Sequence, residues 1–261
     1  MRGGQGSGET GAFRSPLLPM PLPSLRSALA LALLLSGATP AAAATCTWLG
    51  GTSSWATLSA WSCGAVPTAS DDVTIASGTV TMDTGARQTV RSLTLTGGTL
   101  AGSDSLRIAE TLVWEAGAMA GAGVTLVSGP AFLRAATSKV LARELILAGQ
   151  TEWSDGTLLF RDGGLLRNRS LFLDTAVGTH AIARAGDVTQ APLVHNQGRW
   201  QVTSAGTTSN VDLLNEGTLI VNGGGLSVRA PARFTHAPAA VLAGGAMLDL
   251  ASGALVAMGG R

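Results

Sequence analysis

Asp155, Arg161, Asp162, Arg167 and Asp174 place three carboxylates and two guanidinium groups in one short stretch of the chain. Two carboxyl groups held close together are what acid–base cleavage of a glycosidic bond requires, so this stretch is the best imitation of a glycan-cleaving site. Spacing does not put these residues on one face, and solvated charges at the edges of a repeating fold are the expected reading. Trp48, Trp55 and Trp61 lie within 14 residues of one another. They offer a platform for glycan contact, because flat indoles stack on the apolar faces of sugar rings, but a plug at the end of the core fits them better. Asp71 and Asp72 lack the oxygen-rich loop that calcium needs and read as the turn before a strand. His180, His195 and His236 stand in unlike contexts without metal-ligand spacing or a nucleophile motif, and read as surface or turn residues. No catalytic residue, metal or cofactor is assigned.

The two cysteines, Cys46 and Cys63, follow directly on a segment that reads as a secretory signal. Residues 20–44 carry one Arg26, an apolar run over 28–35, breakers at Gly37 and Pro40, and alanines at 42–44, the layout of a signal peptide. The run is too short to span a bilayer, which takes about 20 residues, so no transmembrane anchor is expected. Residues 1–19 fit poorly in front of it, which makes Met20 the expected start. Export places the cysteines where disulfides persist, and a Cys46–Cys63 bridge is expected. Acylation of Cys46 is the alternative, although the preceding Ala43, Ala44 and Thr45 lack the pattern expected before a lipidated cysteine.

Lys+Arg 17 against Asp+Glu 16 gives +1, and charged residues make up only 13%. Without a basic run the electrostatic footprint for nucleic acid is missing. The apolar content is mostly Ala, Leu and Val, with six Trp, five Phe and no Tyr, so the core is built of small aliphatic side chains. Short alternating triplets recur: Val73-Thr74-Ile75, Val80-Thr81-Met82, Leu93-Thr94-Leu95, Leu106-Arg107-Ile108, Leu226-Ser227-Val228 and Leu248-Asp249-Leu250. Period two means strands with one buried face, and turns such as Gly97-Gly98, Gly121-Ala122-Gly123 and Gly223-Gly224-Gly225 separate them. One short helix is expected around residues 135–143.

Internal repetition chooses among all-β architectures. Trp114-Glu115-Ala116-Gly117 returns as Trp153-Ser154-Asp155-Gly156, 153 − 114 = 39 positions later. Asn168, Asn196 and Asn215 each precede a polar residue, Gly or Ser, and a strand, the last two 215 − 196 = 19 apart. A coil of that length cannot bury its own apolar face, so stacking makes the core, and turn asparagines hydrogen-bond the backbone of neighbouring coils. The prediction is an all-β parallel β-helix (β-solenoid) of roughly 20-residue rungs. Its parts are a signal peptide over 1–44, a disulfide-pinned N-terminal cap over 45–70 and rungs over 71–261. The Asn168-Arg169-Ser170 sequon is read as accidental, because Asn168 already has a repeat role. Residues 242–261 still read as rungs without a polar cap, which leaves a longer protein or a covering partner as the expectations.

The order Trp55, Trp61-Ser62-Cys63-Gly64, Val66-Pro67, Asp71-Asp72-Val73-Thr74-Ile75, Gly78-Thr79-Val80 and Leu93-Thr94-Leu95 marks a module over about residues 48–100. It resembles β-helical, autotransporter-passenger-like and adhesin-like proteins of bacterial surfaces. It is also similar to the glycine-rich extracellular domain named for its eight glycines. The resemblance implies a fold more than an activity. The expected function is that of a secreted or cell-surface solenoid, structural or adhesive, whose partner is a surface glycan or another cell-envelope component. The alternative is a glycan-binding or glycan-cleaving β-helix of the polysaccharide lyase or hydrolase kind.

Overall fold

A computed structural model describes Gly3, residues 43–161, 163–186 and 189–251, and the backbone of Leu255–Met258. The chain forms two units, Met1–Ala41 and Ala42–Arg261, and every element below belongs to the second. The expected signal peptide, apart from residues 3, 43 and 44, lies outside the described residues, as does Asp162.

Within Asp72–Ile75, Thr79–Met82 and Ser92–Leu95, buried residues alternate with partly exposed ones, the pattern of a strand laid on a core. Such strands are too short to be stable alone. They stack in parallel, coil upon coil, into three ladders around one apolar interior, and the fold is a parallel β-solenoid. The first ladder has ten strands, from Thr45–Thr47 through Leu112–Trp114 and Leu171–Asp174 to Val241–Ala243. The second begins Thr52–Ser54, Thr79–Met82, Thr99–Gly102, and the third begins Gln88–Val90, Leu106–Ile108. Two long strands, Gly117–Val127 and Lys139–Leu147, run through the corner from the second ladder into the third.

The registers give the rung length. Val73 pairs with Leu93, Leu93 with Leu112, and Leu112 with Ala131, spacings of 20, 19 and 19. The coil between Phe172 and Trp200, which are directly paired, takes 28 residues. Leu95, Trp114, Leu133 and Trp153 occupy one inward column, so the 39-residue Trp repeat is two coils and both indoles are fully buried.

The helix expected around 135–143 is not formed. Ala135 adopts φ 68 in a turn, and residues from Lys139 belong to a nine-residue strand buried at every second position. The period-two alternation Lys139, Leu141, Arg143, Leu145, Leu147 prevails, because the two charged members find backbone carbonyls inside the core.

At the N-terminal end, Thr45–Thr47 and Thr52–Ser54 already form a coil. The chain then folds across it through the short 3-10 turn Leu58–Ala60, and Trp48 bridges Trp61. The Trp61 ring meets those of Trp48 and Trp55 edge-on at 5.0 and 4.9 Å, and its Nε1 donates to the Trp55 carbonyl at 2.9 Å. The expected Cys46–Cys63 disulfide is present and ties the crossing segment to the first strand. Among the described residues no helix is long and apolar enough to cross a membrane.

Candidate functional site

The coils bring the acidic and basic candidates to different places. Asp155 sits at the corner after Thr151–Trp153, with its carboxylate on the amide of Gly156. Arg161 is exposed beyond the second ladder, Arg167 stands on the third, and Asp174 is wholly buried in the core. Asp155, Arg161, Arg167 and Asp174 therefore line no common groove. Trp48, Trp55 and Trp61 expose 2, 0 and 1% of their surfaces. They form the end plug and present no ring face to a sugar, because the crossing segment lies over them.

Asp71 makes the expected strand-start turn, accepting from the amides of Ala44 and Thr68 and from the Thr68 hydroxyl at 3.0, 2.8 and 2.7 Å. Burial raises its pKa, but these hydrogen bonds outweigh burial and the net shift is downward. Asp72 pairs with Arg91 of the next coil.

Three kinds of polar system run through the interior: stacked asparagines, the two buried cations Lys139 and Arg143, and a buried carboxylate. Asn168 donates to Asn196 and Asn196 to Asn215, both at 2.7 Å, and Asn215 donates to Nδ1 of His236 at 3.0 Å. This is the expected asparagine stack. It leaves Asn168 only 2% exposed, and the sequon is internal. Lys139, the only lysine of the chain, donates to the carbonyls of Ala135, Thr137 and Asp155 at 2.8, 3.1 and 3.2 Å. Burial pushes its pKa down to about 8 against the pull of Asp155 and Glu115. Arg143 donates to the carbonyls of Asp104, Ala120 and Gly123, stitching three successive coils, and burial pushes its pKa down to about 10. A Cβ on Gly123 would collide with the Asp104 carbonyl and this guanidinium, so glycine is required there.

The third system centres on Asp174. Thr207 Oγ1 donates to Asp174 Oδ2 at 2.5 Å, Ser204 lies 3.1 Å from Thr207, and His180 Nε2 lies 2.7 Å from Asp174 Oδ1. The set resembles a nucleophilic triad in composition. His180 is 9% exposed and the other three at most 1%, so no substrate reaches it and it works as an internal bolt.

The outward polar chain crosses the third ladder. Glu144 accepts from Arg167 Nε at 3.0 Å, Arg167 Nη1 lies 2.7 Å from His195 Nδ1, and His195 Nε2 lies 2.6 Å from Glu216. Guanidinium only donates, so Nδ1 is the acceptor towards Arg167 and Nε2 the donor towards Glu216. The hydrogen bonds from His195 and Gln197 hold the Glu216 pKa below its ordinary value. His180 and His195, expected at the surface, are both buried; sequence reasoning missed their partners because these lie 6 and 21 to 28 positions away.

Beside Glu144 the surface is concave. The two long strands cross the second corner without a break, while in the next coils the strands of the second ladder end at Phe160 and at Arg184 and those of the third begin at Leu165 and at Leu193. A groove of about 590 Å³ results, floored by Gly121, Ala122 and Ala142 and walled by Glu144, Leu165 and Gln190. The Gly163 amide donates to the Gln190 carbonyl at 3.3 Å and ties the wall in place.

Phe132 on the first ladder is a residue sequence reasoning passed over. It points outward from Ala131–Leu133 and is 36% exposed, whereas every other described Trp and Phe is buried. Its signal was phase: Ala131 and Leu133 are the inward positions, so an aromatic between them faces solvent. No protein-family model matches the chain, no curated protein matches it, and no solved structure matches it.

Proposed function

We propose that this protein is a secreted or cell-surface β-solenoid with a structural or adhesive role and without identifiable catalysis, whose partner is a surface glycan or another cell-envelope component. The observation that carries this reading is the use made of its reactive side chains. Asp174, His180, Lys139, Arg143 and the asparagine stack are consumed in bonds from coil to coil, which leaves rigidity and long outer faces as what the fold offers. The signal-like segment and the likeness to adhesin-like β-helices support export and adhesion. Phe132 favours glycan binding as the form adhesion takes. The test is retention of the purified chain on isolated cell envelopes, before and after their glycans are removed. Retention supports adhesion, and its loss on deglycosylation assigns the partner. A chain that washes through both overturns the adhesive reading.

A further inference from the structure

We propose that Phe132 is the stacking centre of a binding site for a neutral, gluco-configured pyranose chain, in which the ring hydroxyls are equatorial and both ring faces carry C–H groups. The inference rests on the adhesive reading above and names its ligand. Phe132 is 36% exposed, which forgoes part of the stabilisation that full burial gives a phenyl ring, and flat C–H surfaces are what its uncovered part receives best. In the first ladder Phe132 is flanked by Val113 in one neighbouring coil and Glu152 in the other. Two residues along, Arg134 pairs with Glu115 at 3.0 Å, both partly exposed. An apolar neighbour, an aromatic ring and a carboxylate therefore follow one another at the spacing of coils, about 4.8 Å, close to the length of one sugar unit.

The surrounding polar groups suit the same ligand. Glu152 accepts one long hydrogen bond, from Thr175 at 3.4 Å, and its remaining lone pairs can take sugar hydroxyl protons, while Arg134 can donate to ring or hydroxyl oxygens. Two carboxylates against one guanidinium give the patch a net negative charge, which disfavours uronates and sulfated glycans and selects neutral sugars. A wide protein interface would call for an apolar centre with a polar rim; here charged groups stand directly beside the single ring.

The experiment titrates the full chain with cellohexaose, chitohexaose and hexagalacturonate, read by saturation-transfer NMR and affinity electrophoresis. The expected result is saturable binding of a neutral gluco-oligosaccharide. Phe132→Ala weakens it about tenfold, as loss of a stacking contact implies, and Phe132→Trp retains or tightens it. Glu152→Gln weakens it about threefold, as loss of a charged acceptor implies, with circular dichroism unchanged in all three. Unaltered binding by Phe132→Ala, no binding of either neutral hexamer, or preference for the galacturonate overturns the proposal. Retention on envelopes that Phe132→Ala leaves intact overturns this site while the adhesive reading stands. Hexamer binding at Phe132 by a chain that envelopes do not retain overturns the adhesive reading alone.

Discussion

His180 Nε2 lies 2.7 Å from Asp174 Oδ1 inside the core, in the ladder column that Trp153 and Val202 fill in the adjoining coils. A carboxylate at an apolar column position is held there by the Thr207 hydroxyl, which donates to one oxygen, while the His180 ring stands against the other. Removing His180 leaves one carboxylate oxygen facing apolar surroundings, and removing Asp174 leaves the Thr207 hydroxyl and the ring unmatched, at about 1–3 kcal/mol for each buried group. His180→Ala and Asp174→Ala are each expected to lose stability on that scale in urea unfolding. The double variant Asp174→Val, His180→Leu restores an apolar column and should lose less than either. Single variants that unfold within 1 kcal/mol of the parent, about the value of one ordinary hydrogen bond, would contradict a bolt at this position.

Lys139 gives a pH signature. Its folded pKa of about 8 lies below the ordinary 10.5, so between these values the unfolded chain binds a proton that the folded chain has released, and stability rises with pH. Unfolding in urea at pH 7.5 to 9.5 should show a gain of about 2 kcal/mol, with no tyrosine ionisation to obscure it because the chain has none. Lys139→Met should flatten the rise. A parent whose stability falls over this interval would refute the assignment.

Asn196 has ladder neighbours on both sides. Asn196→Ala leaves a donor of Asn168 and an acceptor of Asn215 unmatched, at about 1–3 kcal/mol for each buried group. Asn168→Ala disturbs one ladder neighbour and should cost less. Chemical denaturation of the two variants checks the order, and equal losses would count against a directional stack.

Cys46–Cys63 closes a loop with a sequence separation of 17, worth about 3 kcal/mol by loop entropy. Reduction, or Cys46→Ser with Cys63→Ser, should lower the unfolding midpoint and shift tryptophan emission to the red as Trp48, Trp55 and Trp61 gain water. An unchanged midpoint would show that the ring cluster alone holds the plug.

The solenoid was legible because its signals are local or strictly repeated. Strand alternation at Val73-Thr74-Ile75, the spacing of Trp114 and Trp153, and the offset from Asn196 to Asn215 each map onto one or two coils. The interior charges were not legible. Lys139 and Arg143 resemble solvent-facing residues of a short helix until coil corners bring carbonyls from sequence-distant turns around them. Asp174 and His180 meet only because the chain turns a corner between them, and the 28-residue coil hides the repeat around that pair. Phe132 could have been found, since period two alone places it outside.

Adhesion without catalysis is tested most directly by applying the full chain to a polysaccharide panel, reading retention on each polymer and release of new reducing ends from the same wells. The account predicts retention on neutral gluco-configured polymers with no reducing ends released, and weaker retention for Phe132→Ala. Release of reducing ends that a single acidic substitution abolishes would contradict it.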